Sequence, residues 1–123
     1  MSKHILIVDD EVSLAFFLRE NLIVLNNQYE VDMAHSGKEA LEKLIWQPFD
    51  LLITDLRMPD VDGLTLIEEV QARYPHVRTI LMTAYGDTLN EAALRSSGVN
   101  HYIAKPFQME DMLDIVHEAL TGE

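Results

Sequence analysis

Four aliphatic residues, Ile5, Leu6, Ile7 and Val8, run straight into three carboxylates, Asp9, Asp10 and Glu11. A further acid, Asp55, follows "LLIT" (51–54), Thr83 closes "TILMT" (79–83), and Lys105-Pro106 follows "HYIA" (101–104). Acids crowded at the end of an apolar run repel one another, and burying them unpaired is costly, so something positive belongs among them. Clustered carboxylates with few cations nearby suit a hard cation. Mg2+ takes oxygen ligands, keeps several waters and bridges carboxylate to phosphate. Asp10 and Asp55 are the candidates for direct ligation, Asp9 for ligation through water. Lys105 is a point-charge donor for a phosphate or acyl-phosphate oxygen, and Thr83 offers its hydroxyl to another. A carboxylate held between a divalent ion and an ammonium can attack a phosphoryl group, because both cations neutralise the developing charge. The chain has no cysteine, and no Ser–His pair competes as nucleophile.

These residues meet only if their elements bring them together. Apolar runs recur at a steady interval: 5–8, "YEVDMA" (29–34), 51–54, 79–83 and 101–104. Between them lie stretches of helical periodicity. Leu14, Leu18, Leu22 and Leu25 share one helix face. Ser36 and Glu39 form a capping box ahead of "ALEKLIW". Gly63 leads into "LTLIEEVQARY", which Pro75 stops. Thr88 and Glu91 can cap the fourth helix and Gly98 ends it. "QMEDMLDIVHEAL" is amphipathic and ends before Gly122. Alternating strands and helices predict a parallel sheet with helices on both faces. In an open α/β sheet the carboxyl ends of the strands share one edge, where ligands bind at the switch point of strand order. That edge gathers Asp9, Asp10, Asp55, Thr83 and Lys105.

Composition narrows the class. A chain of 123 residues, 48% hydrophobic, is one ordinary domain, expected to span residues 1–123. The closing helix nearly reaches Glu123, which leaves no room for a second domain, although the unit could equally be cut from a longer protein. A formal charge of −12 argues against direct nucleic-acid binding and against anionic membrane surfaces. It suits a partner with a basic face or a bound cation. The first apolar run is too short for a secretion signal and stops at acids, and no run has membrane-crossing length. The expected location is the cytoplasm.

Taken together, "ILIVDDE", "DLLITDLRMPDVDG", "ILMTAYG" and "YIAKPF", in that order and spacing, resemble the receiver domain of bacterial two-component response regulators across essentially the whole chain. The resemblance implies five parallel strands in order 2-1-3-4-5, a flavodoxin-like doubly wound sheet. It implies that Asp55 accepts a phosphoryl group from a sensor histidine kinase or phosphotransfer protein, that Asp9 and Asp10 hold Mg2+, and that the Arg57 backbone carbonyl is a metal ligand. It assigns Thr83 and Lys105 to the phosphoryl oxygens and places a cis peptide bond between Lys105 and Pro106. Tyr102 becomes the switch residue that turns inward when Thr83 moves. The change would then reach a downstream effector through helix four, strand five and helix five, with a phosphorylation-dependent homodimer among the outcomes. Self-phosphorylation from small donors and autodephosphorylation are expected of such a domain, which is not otherwise an enzyme.

Several residues carry two readings. Arg57 and Tyr85 either flank the path of water to the acyl phosphate or are exposed loop side chains. Asp60 and Asp62 read as turn formers and a helix cap rather than ligands. His4, His35, His76, His101 and His117 show no metal spacing and read as surface or edge residues. Trp46 is expected to pack against the loop before Phe49. Val12, Phe16 and Ile23 form a second apolar stripe on the first helix, which either widens the core face or serves as the docking strip along which kinases and phosphotransfer domains approach this family. A haloacid-dehalogenase-type phosphatase would need an acid where Arg57 stands, and a cap domain. A flavodoxin-like cofactor binder would need a phosphate-cradling loop where "DDEVS" stands. An interaction module without phosphotransfer is disfavoured by the intact Asp10, Asp55, Thr83 and Lys105.

Overall fold

The computed structural model describes residues 2–84 and 91–122. Strands and helices alternate throughout: β1 (Lys3–Val8), α1 (Val12–Leu25), β2 (Tyr29–Ala34), α2 (Gly37–Trp46), β3 (Leu51–Asp55), α3 (Gly63–Arg73), β4 (Arg78–Ala84), α4 (Glu91–Ser96), β5 (His101–Lys105) and α5 (Met109–Thr121). The strands form one parallel sheet in the order β2-β1-β3-β4-β5, as expected. The chain leaves β1 toward β2 and then crosses back to β3, so the switch point lies between β1 and β3, at Asp9 and Asp55.

The strands are apolar on both faces because both faces are covered. Ile5, Ile7, Leu51, Ile53, Ile80 and Met82 pack with α1 and α5. Leu6, Val8, Leu52 and Leu81 point the other way, to α2, α3 and α4. The helix boundaries are set locally. Ser36 Oγ accepts the Glu39 N–H (3.1 Å) and Asp62 accepts the Thr65 N–H (2.8 Å). Glu39 reaches back to the His35 N–H (2.8 Å), one residue before the cap. Gly98 ends α4 at φ +92, and a Cβ there would also strike the Gln71 side chain.

Three expectations about packing fail in whole or in part. On α1 the buried residues are Ala15, Leu18 and Leu22, whereas Leu25 is exposed. At 100° per residue, the buried face centres roughly 70° from the Leu14 position, toward Ala15; a small Ala15 lets the helix sit close to the sheet. Val12 and Phe16 are more than half exposed, whereas Ile23, the third residue of that stripe, is half-buried, so most of the stripe does not widen the core. Trp46 is 86% exposed. It ends α2, where Ala40 and Leu44 already fill the inner face, and Phe49 is buried without it. No helix of the described residues is long and apolar enough to cross a membrane.

Candidate functional site

Asp9 follows β1 and is 0% exposed. Its Oδ1 accepts the Glu11 N–H (2.9 Å) and its Oδ2 the Lys105 ammonium (2.8 Å). Asp55 is the last residue of β3 and is buried beside it. The peptides around Asp55 are fixed in turn. Thr54 Oγ1 donates to the Asp55 carbonyl (3.0 Å), Leu56 N–H to Met82 O (2.9 Å), and Gly63 N–H to Leu56 O (2.8 Å). Gly63 is required by this closeness, since a Cβ there would run into the Asp55 carbonyl.

One carboxylate oxygen each from Asp9, Asp10 and Asp55 lies within 4.8 Å of the others, with Asp10 on the exposed side. Lys105 Nζ lies 2.8 Å from Asp9, 3.3 Å from Asp55 Oδ1 and 4.0 Å from Glu11. Lys105, expected at a phosphoryl oxygen, is here shared between the acids. Burial holds the Asp55 carboxyl above its usual pKa of 3.8, and Asp9 and Asp10 add to this while Lys105 opposes it. Burial works against the Lys105 ammonium, yet the bond and charge of Asp9, with Asp55 behind it, raise its pKa above 10.5.

The donor set fits a divalent cation. Three carboxylates against one ammonium leave an excess of two negative charges. Neighbouring oxygens in the octahedral shell of one Mg2+ are about 3 Å apart and opposite ones about 4.2 Å, so the carboxylates would have to draw together to ligate the ion directly. Asp9, with both oxygens already engaged, is the poorest of the three for direct ligation.

Thr83 is buried at the end of β4, and its Oγ1 lies 3.5 Å from Ile103 O on β5. Tyr102 is 48% exposed and lines a cavity of about 210 Å3 with Leu94, Arg95, Val99 and Asn100. The Lys105–Pro106 bond is cis. Arg57 is exposed in the loop after β3. Tyr85 and Thr88 lie outside the described residues, as does the Glu91 side chain.

Two residues do more than their sequence context suggests. Asp60 accepts the N–H groups of Gly37 (3.2 Å) and Lys38 (2.9 Å), so it holds the start of α2 against the loop after Asp55. Those bonds, Lys38 foremost, lower its pKa below 3.8. His35 Nδ1 lies 3.1 Å from the Asp9 carbonyl oxygen. The signal for His35 was available once strand order was known: Val8 pairs with Ala34, which sets Asp9 and His35 side by side. Asp62 caps α3, as read from the sequence.

Residues 5–117 match the model of the response regulator receiver domain family. Response regulator ArlR of Staphylococcus saprophyticus is 36% identical over 119 residues, covering 97% of this chain and 53% of that protein; the chain thus spans about half the length of such relatives. A CheY-like receiver domain protein from Methanospirillum hungatei superposes with a TM-score of 0.91 at 30% identity, covering 99% of this chain and 96% of the other. TrrA from Thermotoga maritima, solved in complex with Mg(2+)-BeF, superposes with a TM-score of 0.85 at 32% identity, covering 96% and 99% of the two chains.

Proposed function

Because the chain belongs to the response regulator receiver domain family, a family of signalling phosphoacceptors rather than enzymes in the ordinary sense, we propose that residues 1–123 form one cytoplasmic receiver domain that is phosphorylated on Asp55. The observation that carries this reading is the meeting of Asp9, Asp10, Asp55 and Lys105 in one pocket. An Asp55 oxygen forms the new bond to phosphorus as the P–N bond of a phosphohistidine on a kinase or phosphotransfer protein breaks, the electron pair leaving with the imidazole. Lys105 turns from Asp9 and Asp55 to a phosphoryl oxygen, and Thr83 donates its hydroxyl to another. Asp10 and Asp55 would hold Mg2+ directly, the Arg57 carbonyl would complete the protein ligands, and Asp9 would act through water. When bound, Mg2+ supplies charge neutralisation at the transferring group. The Mg(2+)-BeF complex of TrrA supports the same use of the pocket here.

Val12 and Phe16 of the second apolar stripe are more than half exposed on α1, and so is Phe17, which the stripe read from the sequence did not include. Phe17 also lines a groove of about 370 Å3 with Leu14, Phe107 and Met109, beside Lys105. This is the docking strip for the phosphodonor. Downstream, movement of Thr83 lets Tyr102 turn inward and changes the α4-β5-α5 surface that an effector, or a second phosphorylated copy, reads. The test is incubation with acetyl phosphate and Mg2+, followed by intact mass and peptide mapping. One phosphoryl group on Asp55 is expected. An Asp55→Asn variant that still gains an acid-labile phosphate refutes the assignment.

A further inference from the structure

β1 and β2 run in register to their ends, with Val8 opposite Ala34. The Asp9 N–H continues the ladder by donating to Ala34 O (3.0 Å). There β2 stops. The His35 N–H turns to Glu39 Oε1 (2.8 Å), the acid that reaches back from the first turn of α2. The Asp9 carbonyl is instead met by the His35 ring, with Nδ1 at 3.1 Å. A carbonyl oxygen only accepts, so Nδ1 carries the proton in this contact.

The consequence falls on the next residue. The Asp9 carbonyl and the Asp10 N–H belong to one planar peptide unit. A bond that fixes the oxygen fixes the plane, and the plane sets the direction in which Asp10 leaves the chain. Asp10 needs such help. It is exposed and sits in the short loop ahead of α1, whereas Asp9 is already gripped by Glu11 N–H and Lys105. His35 is in turn tied to α2 through Glu39, whose own N–H is held by Ser36 Oγ (3.1 Å).

We propose that His35 is a positioning residue for the metal-binding acids: its Nδ1–H bond to the Asp9 carbonyl orients the Asp9–Asp10 peptide so that Asp10 points at the cation shared with Asp55. The inference rests on the reading that these acids hold Mg2+. Outer groups that orient ligands in this way raise metal affinity because the ligand set need not be ordered when the ion binds.

The experiment titrates Mg2+ against the full chain in wild type, His35→Ala, His35→Phe and His35→Asn, following the backbone amide NMR shifts of Asp10 and Glu11. Phe keeps a ring without a donor. Asn keeps an amide N–H close to where Nδ1 lies. The Ala and Phe variants should bind Mg2+ about 10-fold more weakly, and the Asn variant within about 2-fold of wild type. If the Ala variant does not fold, Phe and Asn carry the comparison. Wild-type affinity in the Phe variant overturns the inference, and so does an Asn variant as weak as Phe. Wild type without Mg2+ binding removes the metal reading itself, a result that the variants' failure alone would not give.

Discussion

The two halves of the sheet are built differently at their carboxyl edge. On the β1–β3 side, Ile5 to Asp9 and Leu51 to Leu56 are buried without interruption; Asp9 is held by the Glu11 N–H, the Lys105 ammonium and the His35 ring, and the Asp55 carbonyl by Thr54 Oγ1, with the next residue, Leu56, bonded to Met82 and Gly63. On the β4–β5 side, Thr83 reaches Ile103 O only at 3.5 Å, at the limit of a useful hydrogen bond. β5 alternates half-buried with exposed residues, and Tyr102 is half exposed over a cavity. Under the proposed function, the difference would separate two tasks. Phosphoryl chemistry needs atoms held in place, which close packing supplies. A switch needs an element with two arrangements of similar energy, and a ligand can shift it only by binding one better. Lys105 lies on β5 but binds Asp9 after β1 and Asp55 at the end of β3, so it links the two sides.

Breaking that link should have the largest effect. Lys105→Met leaves Asp9 buried without its ammonium, and the metal-free protein should lose about 1–3 kcal/mol, less than a fully buried pair because Lys105 is partly solvated. Mg2+ should recover part of this, since the pocket becomes more negative. Chemical denaturation with and without Mg2+ measures both; an unchanged midpoint would show that the halves are not joined through Lys105.

Next comes the rigid half alone. With Mg2+ at about 100 times its Kd, wild type should gain about 2.7 kcal/mol. Asp10→Ala should gain under about 1 kcal/mol while being more stable than wild type without metal, because one of three repelling carboxylates is gone. Equal Mg2+ shifts in thermal melts would count against the site.

The charge held at Asp55 has a pH signature. Its carboxyl has a raised pKa in the folded chain, chiefly through burial, so between 3.8 and that raised value the folded state binds more protons than the unfolded one. Metal-free stability should therefore fall as pH rises through this window. Asp55→Asn should lack that component and be the more stable protein at neutral pH. Lys105, also raised, acts oppositely: its contribution is complete below 10.5 and fades as pH climbs through its folded value. Melting temperature against pH for wild type and Asp55→Asn, diverging as pH rises above 3.8, is the expected result; parallel curves would sink it.

The smallest stability effect belongs to the loose half. Tyr102→Ala should cost under about 1 kcal/mol. With Mg2+ and beryllofluoride, wild-type amide shifts should spread across Thr83 to Lys105 and into α5. In the variant they should stay near Asp9 and Asp55. A wild type whose changes remain in the loop after Asp55 would mean that the β4–β5 side is not the responsive half.

Much of this organisation was legible in the chain because its causes are local. An uninterrupted apolar run of four residues followed by acids reads as a strand buried on both faces that ends at a polar edge. Ser36, Asp62 and Gly98 mark helix boundaries through bonds and backbone angles within a few residues. Strand alternation then delivers Asp9, Asp10, Asp55, Thr83 and Lys105 to one edge before any coordinate is known. What the tertiary structure alone decided are relations between distant segments. Lys105 prefers Asp9, 96 residues away, because the carboxyl ends of β1 and β5 converge on an excess of negative charge. His35 touches Asp9 because β2 ends in register with β1. α1 rolls toward Ala15, leaving Val12 and Phe16 to solvent, because the sheet accepts a close helix there. Trp46 stays exposed because smaller residues have already filled the inner face of α2. Sequence periodicity shows that a face is apolar; only the packed neighbours settle how far it turns inward and what it touches.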